Sequence, residues 1–381
     1  MINILFSGDL APVGRIERFC LDNKAERIFC GIKHILQETD LHITNLECPL
    51  TYGEHQIQKT GPHLKADPQC IRILKEGRVG IACLANNHLR DYADKGIKDT
   101  IEVCQRAGID VVGGGLNSKD AGKVLYKDIN DTRLAFINCC ENEFSIAEEY
   151  LPGANPIEPI TLYYDIKDAK EKADLIFVII HGGAELYQLP TPRLRGIFRF
   201  CADLGADAVV GHHSHVFSGY EEYNSKHLVY GLGNFLFDDE TAMDKNWNLG
   251  LLAKFVIDRK KIVSMKLIPI EQFKSILGVK DLEGEELATV KERIEGLSEI
   301  INNDEAFFLE WDKLIENKGR SYLISMMDIK VWDRLLYKMK IKTWDQKRIQ
   351  KYIGRTYNIV KCQTIRDIVT GFMKKKYRQF K

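Results

Sequence analysis

Apolar residues fall in short runs separated by longer stretches of helical spacing, and this alternation continues to about residue 270. The runs Ile2–Ser7, Leu41–Thr44, Val79–Leu84, Asp110–Val112, Leu134–Asn138, Leu175–Ile180 and Ala208–Val210 have the length and composition of buried strands. Between them, Asp67-Pro68 supplies an N-cap and a proline at the first helical position, and Gly77 ends that segment. Ile97, Ile101, Cys104 and Ala107 share one helical face that stops near Gly108. Thr191-Pro192 opens another helix, running to about Gly205. Strand–helix alternation predicts a largely parallel sheet covered by helices. From Lys226 to Ile270 strands follow one another, as in Leu249–Ile257 and Lys261–Pro269, which predicts antiparallel strands completing a second sheet. Beyond that, 278–302, 305–318, 321–339 and 344–379 are long, charged and helical. The chain therefore divides near residue 272, into an α/β part, 1–271, and a helical C-terminal extension, 272–381.

Composition narrows the class without naming a chemistry. The 381 residues have the hydrophobic and charged fractions of a soluble globular protein, and no apolar run reaches the roughly 18–20 residues that span a bilayer. The first residues, Met1 to Phe6, are too short for a signal peptide and run straight into Gly8-Asp9. Ten cysteines without regular spacing suit buried thiols in a reducing cytoplasm better than a disulfide framework. Net charge is zero, but residues 342–381 hold 12 lysines and arginines against two aspartates, so a +10 tail balances a −10 body. In the tail, Ile365, Ile368, Val369 and Phe372 recur at helical spacing, ending in Lys374-Lys375-Lys376. Such a helix either lies on an anionic membrane surface or acidic polymer, or docks by its apolar stripe on the acidic body. No nucleic-acid motif accompanies the charge, so nucleic acid is not expected as a partner.

The chemistry gathers where strands end. The first leads to Ser7-Gly8-Asp9, the second to Asn45-Leu46-Glu47, and the third to Ala85-Asn86-Asn87-His88. Leu175–Ile180 leads to His181-Gly182-Gly183-Ala184-Glu185, and Ala208–Val210 to Gly211-His212-His213-Ser214-His215. Parallel sheets collect their ligands outside the carboxyl ends of the strands, which converge on one rim. Two carboxylates, an amide and several imidazoles make an oxygen and nitrogen site suited to Mn, Fe or Zn, and the absence of cysteine disfavours a structural zinc site. In an extended segment His213 and His215 project the same way. Each residue alone has a structural explanation, as a cap, an ion-pair partner or a core histidine. Repetition at successive strand ends is what points to a metal centre.

These motifs, with Gly231-Leu232-Gly233-Asn234-Phe235, Cys48-Pro49-Leu50-Thr51 and Gly113-Gly114-Gly115-Leu116-Asn117, resemble the CapA family of poly-gamma-glutamate capsule biosynthesis proteins. That family is a branch of the calcineurin-like metallophosphoesterases, and the similarity spans about residues 1–245. It implies an α/β fold of the four-layer α/β/β/α sandwich type and a site for two divalent metal ions. By position, Asp9, Glu47, Asn87, His181, His213 and His215 become the metal ligands, with one carboxylate bridging. His88 becomes the catalytic general acid, or a donor to developing charge. Asn86, Gly182, Gly183, Glu185, His212 and Asn234 would line the substrate rim. In the wider superfamily the first motif reads Asp-x-His, and here Ala11 stands at the histidine position. His212, Glu185 or water would then complete that metal. Arg15, six residues after Asp9, is read either as a substrate contact or as a surface ion pair. Lys65 and the Lys59–Pro62 loop have a weaker claim to the same role. The implied activity is metal-dependent hydrolysis, of phosphoester type, on an anionic substrate in capsule or surface-polymer biosynthesis. The alternative is a non-catalytic factor that uses the metal site to hold an anionic chain. The expected location is the cytoplasm, with peripheral contact at the inner membrane surface if the basic tail binds lipid.

Overall fold

The computed structural model describes residues 1–239, 244–274, 276–326 and 346–379. Its first sheet is built on β1 (Ile2–Ala11), with β2 (Leu41–Leu46), β3 (Val79–Cys83) and β4 (Asp110–Val112) following in parallel. A two-stranded pair, β5 (Gly114–Gly115) with β8 (Gly153–Ala154), stands apart. The second sheet has the order β11-β12-β10-β9-β7-β6, comprising β6 (Leu125–Ile129), β7 (Thr132–Cys140), β9 (Leu175–His181), β10 (Ala208–His212), β11 (Tyr220–Tyr223) and β12 (Lys226–Val229). The remaining strands, β13 (Asn234–Phe237), β14 (Leu249–Asp258), β15 (Lys261–Gln272) and β16 (Val279–Asp281), return to the first sheet.

That return corrects one expectation. The antiparallel pair β14–β15 completes the first sheet, because β14 pairs antiparallel with the first half of β1, Ile2 through Phe6. The second sheet draws instead on the later parallel strands, so the single parallel sheet read from the alternation is two. The last strand of the first sheet, β16, lies beyond residue 272.

Strand side chains alternate between two faces, and that alternation sorts the core into layers. Ile4 and Phe6 point between the sheets, where the Phe6 and Phe177 rings lie 5.4 Å apart and Phe136 stacks on Phe177 at 5.5 Å. Leu5 points outward into a core shared with Ile16 of α1 (Arg15–Leu21), Ile35 of α2 (Lys33–Gln37), Ile73 of α3 (Ile71–Glu76) and Ile97 of α4 (Ala93–Arg106). A short α5 (Ser118–Ala121) follows. On the far side, Val178 and Val209 face Ile166 of α6 (Pro159–Lys172) and Phe198 of α7 (Pro192–Leu204). Helix, sheet, sheet, helix is the four-layer α/β/β/α sandwich that the resemblance implied. The expected caps are present: Asp67 accepts from the Gln69 amide at 2.8 Å, and Thr191 Oγ1 from the Leu194 amide at 3.2 Å.

The extension forms α8 (Gly284–Asn302), α9 (Asp304–Met326), α10 (Gln346–Lys361) and α11 (Gln363–Gln379). The helix read as starting at Gly278 begins six residues later, after β16. Most of the segment 321–339 lies outside the described residues. The basic tail uses its apolar stripe internally, since Ile368 and Phe372 pack against Trp311, Leu314 and Ile315. Lys375 and Lys376 reach Asp312 and Glu316, each at 3.2 Å. This is the docked alternative. Among the described residues no helix is long and apolar enough to cross a membrane.

Candidate metal centre

The centre begins with a change of partner along β1. Its first half runs beside β14, and its last three residues run parallel to β13. The switch happens at Gly8, where a Cβ would stand 1.9 Å from the Gly233 carbonyl oxygen, so no side chain fits. Asp9, next along, is in register with Asn45 on one side and Asn234 on the other. In the second sheet His181 and His212 are register partners at the ends of β9 and β10. The carboxyl ends of both sheets thus meet at one lip, as the doubly wound logic requires.

Two groups of ligand atoms result, Glu47–His181–His213 and Asp9–Glu47–His215, all buried, with the atoms of each group within 4.8 Å of one another. Glu47 belongs to both. His181 Nε2 lies 3.7 Å from Glu47 Oε1, 3.0 Å from Asn87 Oδ1 and 3.0 Å from His213 Nδ1. His215 approaches Asp9 Oδ2 at 3.5 Å and Glu47 Oε1 at 3.6 Å. All six residues read as ligands are therefore brought together. Glu47 Oε1 is buried without a hydrogen-bond partner among the described residues, while ring nitrogens of His181 and His215 stand 3.7 and 3.6 Å from it. Unpaired buried carboxylate oxygens are costly, and this donor set is the one divalent cations take. The residues fit such a group.

Around the ligands sit residues that aim them. Asn45 donates to Asp9 Oδ1 at 2.8 Å and Glu47 Oε2 at 3.3 Å, and its Nδ2 lies 3.2 Å from His181 Nδ1, so one amide ties three ligands. His212 sits at 3.2 Å on Asp9 Oδ1 and belongs to neither ligand group. Asn86 is fully buried, donating to the Leu46 carbonyl at 2.8 Å and accepting from the His88 amide at 3.1 Å. Asn234 accepts the His215 Nδ1 contact at 3.0 Å. Gly182 packs on Glu141, with no room for a Cβ. Of the residues read as substrate contacts, Gly183 and Glu185 line the cleft beside the ligands, whereas Asn86, His212 and Asn234 lie behind them. Arg15 is the ion-pair alternative, and a correction to the substrate role: its guanidinium grips Asp238 at 2.6 and 2.9 Å and sits over Phe273.

His88 faces the cleft with Nδ1 held 2.7 Å from Asp91 Oδ2. Asp91 is fully buried, also accepts from the Leu64 amide at 2.7 Å, and pairs with the buried ammonium of Lys59. Lys59 Nζ lies 3.2 Å from His88 Nδ1. Asp91 is unmarked among the sequence motifs, and Asn45 has only a place in the motif Asn45-Leu46-Glu47, without a role. The spacing from His88 to Asp91, three residues, was the available signal.

The electrostatics describe a pocket short of positive charge. Burial would raise Asp9, but the hydrogen bond and charge of His212, with His215 and His181, hold it well below the usual carboxylate range. Burial and then the Asp9 charge push Glu47 well up. Burial, reinforced by His213, drives His181 well down. Burial also lowers His88, against the pull of Asp91. A divalent cation held by these residues would invert this logic for Glu47.

The bacterial capsule synthesis protein family PGA_cap matches residues 3–239. The chain is similar to the PGA biosynthesis protein CapA of Bacillus subtilis, 32% identical over 243 residues, covering 62% of this chain and 64% of that protein. It is also similar to the capsule biosynthesis protein CapA of Bacillus anthracis, 34% identical over 248 residues, 63% of this chain and 60% of that protein. The chain thus spans about three-fifths of the length of these curated relatives. Among solved structures, a phosphatase from Mycoplasma pneumoniae superposes with a TM-score of 0.45 at 19% identity, over 71% of this chain and 93% of that one.

Proposed function

This chain belongs to the bacterial capsule synthesis family PGA_cap, and from that premise we propose that it is a metal-dependent phosphoesterase acting on an anionic substrate in surface-polymer biosynthesis. The observation that carries the reading is the pair of ligand groups sharing Glu47, set beside a cleft histidine anchored on a buried aspartate. Glu47, Asn87, His181 and His213 would hold one divalent cation, and Asp9, Glu47 and His215 the other. Mn, Fe or Zn suits the donors. Bound there, such ions polarise a phosphoryl oxygen and lower the pKa of water.

The chain's own residues do the rest. Asn45 fixes the orientation of both carboxylates and of His181, so the ligands are aimed before anything binds. His212 adds a second contact to Asp9 Oδ1, the oxygen that Asn45 holds. Asp91 fixes His88 through Nδ1 and favours the doubly protonated ring, from which the other ring nitrogen hands its proton to the departing oxygen as general acid. Lys59 neutralises Asp91 and keeps that pair dry. The rival role, holding an anionic chain without turnover, requires no anchored histidine, and it sits poorly with Glu143 and Glu185 on the cleft wall. The unpaired thiols, nine of ten buried, suit a reducing compartment.

The test is hydrolysis of a chromogenic phosphodiester by full-length protein, with metal content measured in parallel. Turnover should require metal, vanish on chelation, and fall together with bound metal in His213→Ala. Equal rates in stripped and loaded protein would sink the reading, and loaded protein that binds poly-gamma-glutamate with no turnover would favour the rival.

A further inference from the structure

The cleft beside the ligands has a wall that the family-matching part of the chain does not supply. It encloses about 200 Å³. One side is the loop Lys59–Pro62 with His88, and the other is Tyr322 of α9, Asn358 of α10 and Thr364 of α11. These helices lie wholly beyond residue 239, where the family match ends. They are fastened to the ligand-bearing loops. Ala184, three residues past His181, packs among Trp311, Ile315 and Phe372. Lys318 donates to the Glu185 carbonyl at 3.0 Å, and Thr364 Oγ1 donates to Glu141 at 2.8 Å. Arg193 joins the same Glu141 to Asp367 of α11.

We propose that this helical extension is the specificity wall of the centre, admitting a compact phosphoester end and barring the interior of a polymer chain. The inference rests on the phosphoesterase reading above. Size is the first support. The cleft, about 200 Å³ and partly open to solvent, is smaller than the roughly 300–1,000 Å³ of ordinary small-ligand pockets. A phosphoryl group and one short neighbour suit it better than a chain that enters and leaves. Charge is the second. Glu143 and Glu185 line the space, the Lys59 ammonium is held by Asp91, and among the described residues the groups the wall contributes to the lining, such as Tyr322, Asn358 and Thr364, are uncharged, so the wall itself offers a threaded polyanion no cation. Asn358 Oδ1 is buried without a hydrogen-bond partner among the described residues, an acceptor waiting for an N–H or O–H on the substrate. The favoured substrate is therefore a phosphoester flanked by a small neutral group that carries such a donor.

Gly319 offers a way to move the wall, because a Cβ there would stand 2.4 Å from Phe372 Cβ and force α9 from α11. Full-length, metal-loaded wild type, Gly319→Val and Asn358→Trp are compared on methyl p-nitrophenyl phosphate and on the same ester with the methyl replaced by a poly(ethylene glycol) chain. Wild type should favour the methyl ester by about tenfold in kcat/KM, Gly319→Val should narrow that ratio about fivefold, and Asn358→Trp should widen it. A ratio that stays put in both variants overturns the wall. Should wild type hydrolyse neither ester, the phosphoesterase reading fails, and the wall is judged without metal by labelling of Cys362, which lines the cleft. Peptide mapping then compares a methyl thiosulfonate with a fluorescein maleimide. The bulky reagent should gain on the small one at Cys362 in Gly319→Val, and Gly319→Ala repeats the test if valine unfolds the protein. No gain in either overturns the proposal.

Discussion

Glu47 is where the two ligand groups meet, so Glu47→Gln probes the whole arrangement. Without metal its carboxyl is buried against Asp9 and titrates well above the ordinary 4.5. The unfolded chain releases that proton near 4.5, while the folded chain keeps it. Its contribution is therefore fully present below the unfolded value and is lost as pH rises, by about 1.4 kcal/mol per pH unit, until pH passes the folded value. Glutamine preserves the shape and has no proton to lose. Metal-free Glu47→Gln should therefore gain on metal-free wild type with that slope from about pH 5 upward, each kcal/mol moving Tm by about 2 °C in a chain of this size. The depressed His181 and the raised Glu143 contribute to both proteins, so the difference between them isolates Glu47. Divalent metal reverses the order. Binding ionises the wild-type carboxyl and releases its proton, and at a metal concentration of a hundred times Kd it adds about 2.7 kcal/mol. The variant, lacking the carboxylate common to both groups, should gain far less. Urea unfolding of both proteins from about pH 5 to 8, with EDTA or with Mn²⁺, measures each quantity. Parallel metal-free curves, or undiminished metal stabilisation in the variant, would refute the shared-carboxylate reasoning.

Three further outcomes are expected. Asn45→Ala, which removes no ligand, should weaken metal binding about 10–100-fold because three ligands lose their common tie, read by competition with a chromogenic chelator. His88→Ala and Asp91→Asn should keep their metal yet lose about 10²–10⁴ in kcat, and loss of metal content in either would reassign the pair to structure. Phe177→Ala, which empties the space between Phe6 and Phe136 in the inter-sheet core, should cost about 3–5 kcal/mol by urea unfolding, without changing which residues bind metal.

The rim was readable because its signal is local and repeated. A strand ends, and within three residues stands an oxygen or nitrogen ligand, as at Asp9, Glu47, Asn87 and His181. Parallel strands bring such positions together whatever their order in the sheet. Sheet membership was not readable in the same way. Alternation identifies Leu249–Ile257 as a strand, but its partner is set by register with residues about 250 positions earlier, and nothing in a local window carries that. The same limit hid the positioning residues. Asn45 reads as ordinary strand polarity until its amide is seen between Asp9, Glu47 and His181. Arg15 reads equally as an anion ligand or an ion-pair partner until Asp238, 223 positions away, takes two of its three guanidinium nitrogens.

The three-histidine stretch marks where periodicity stops being a guide. An extended backbone would send His213 and His215 to one face and His212 to the other. Instead β10 ends at His212, and His213 and His215 take φ of 97° and 57°, in the left-handed region that side chains avoid. Each such residue costs about 1–3 kcal/mol and persists only where its surroundings over-determine it. Here they do so. The His213 amide donates to Asp9 Oδ2 at 3.2 Å, Ser214 Oγ donates to the Val216 carbonyl at 2.7 Å, and the Leu186 amide donates to the Ser214 carbonyl at 2.9 Å. The turn has a chemical consequence that a straight strand could not deliver. It brings His212 to one oxygen of Asp9, His215 to the other oxygen and to Glu47, and His213 to His181. Three imidazoles within four positions thereby serve three different neighbours around one pair of carboxylates, and backbone strain is the cost of placing all of them on the same side of the lip.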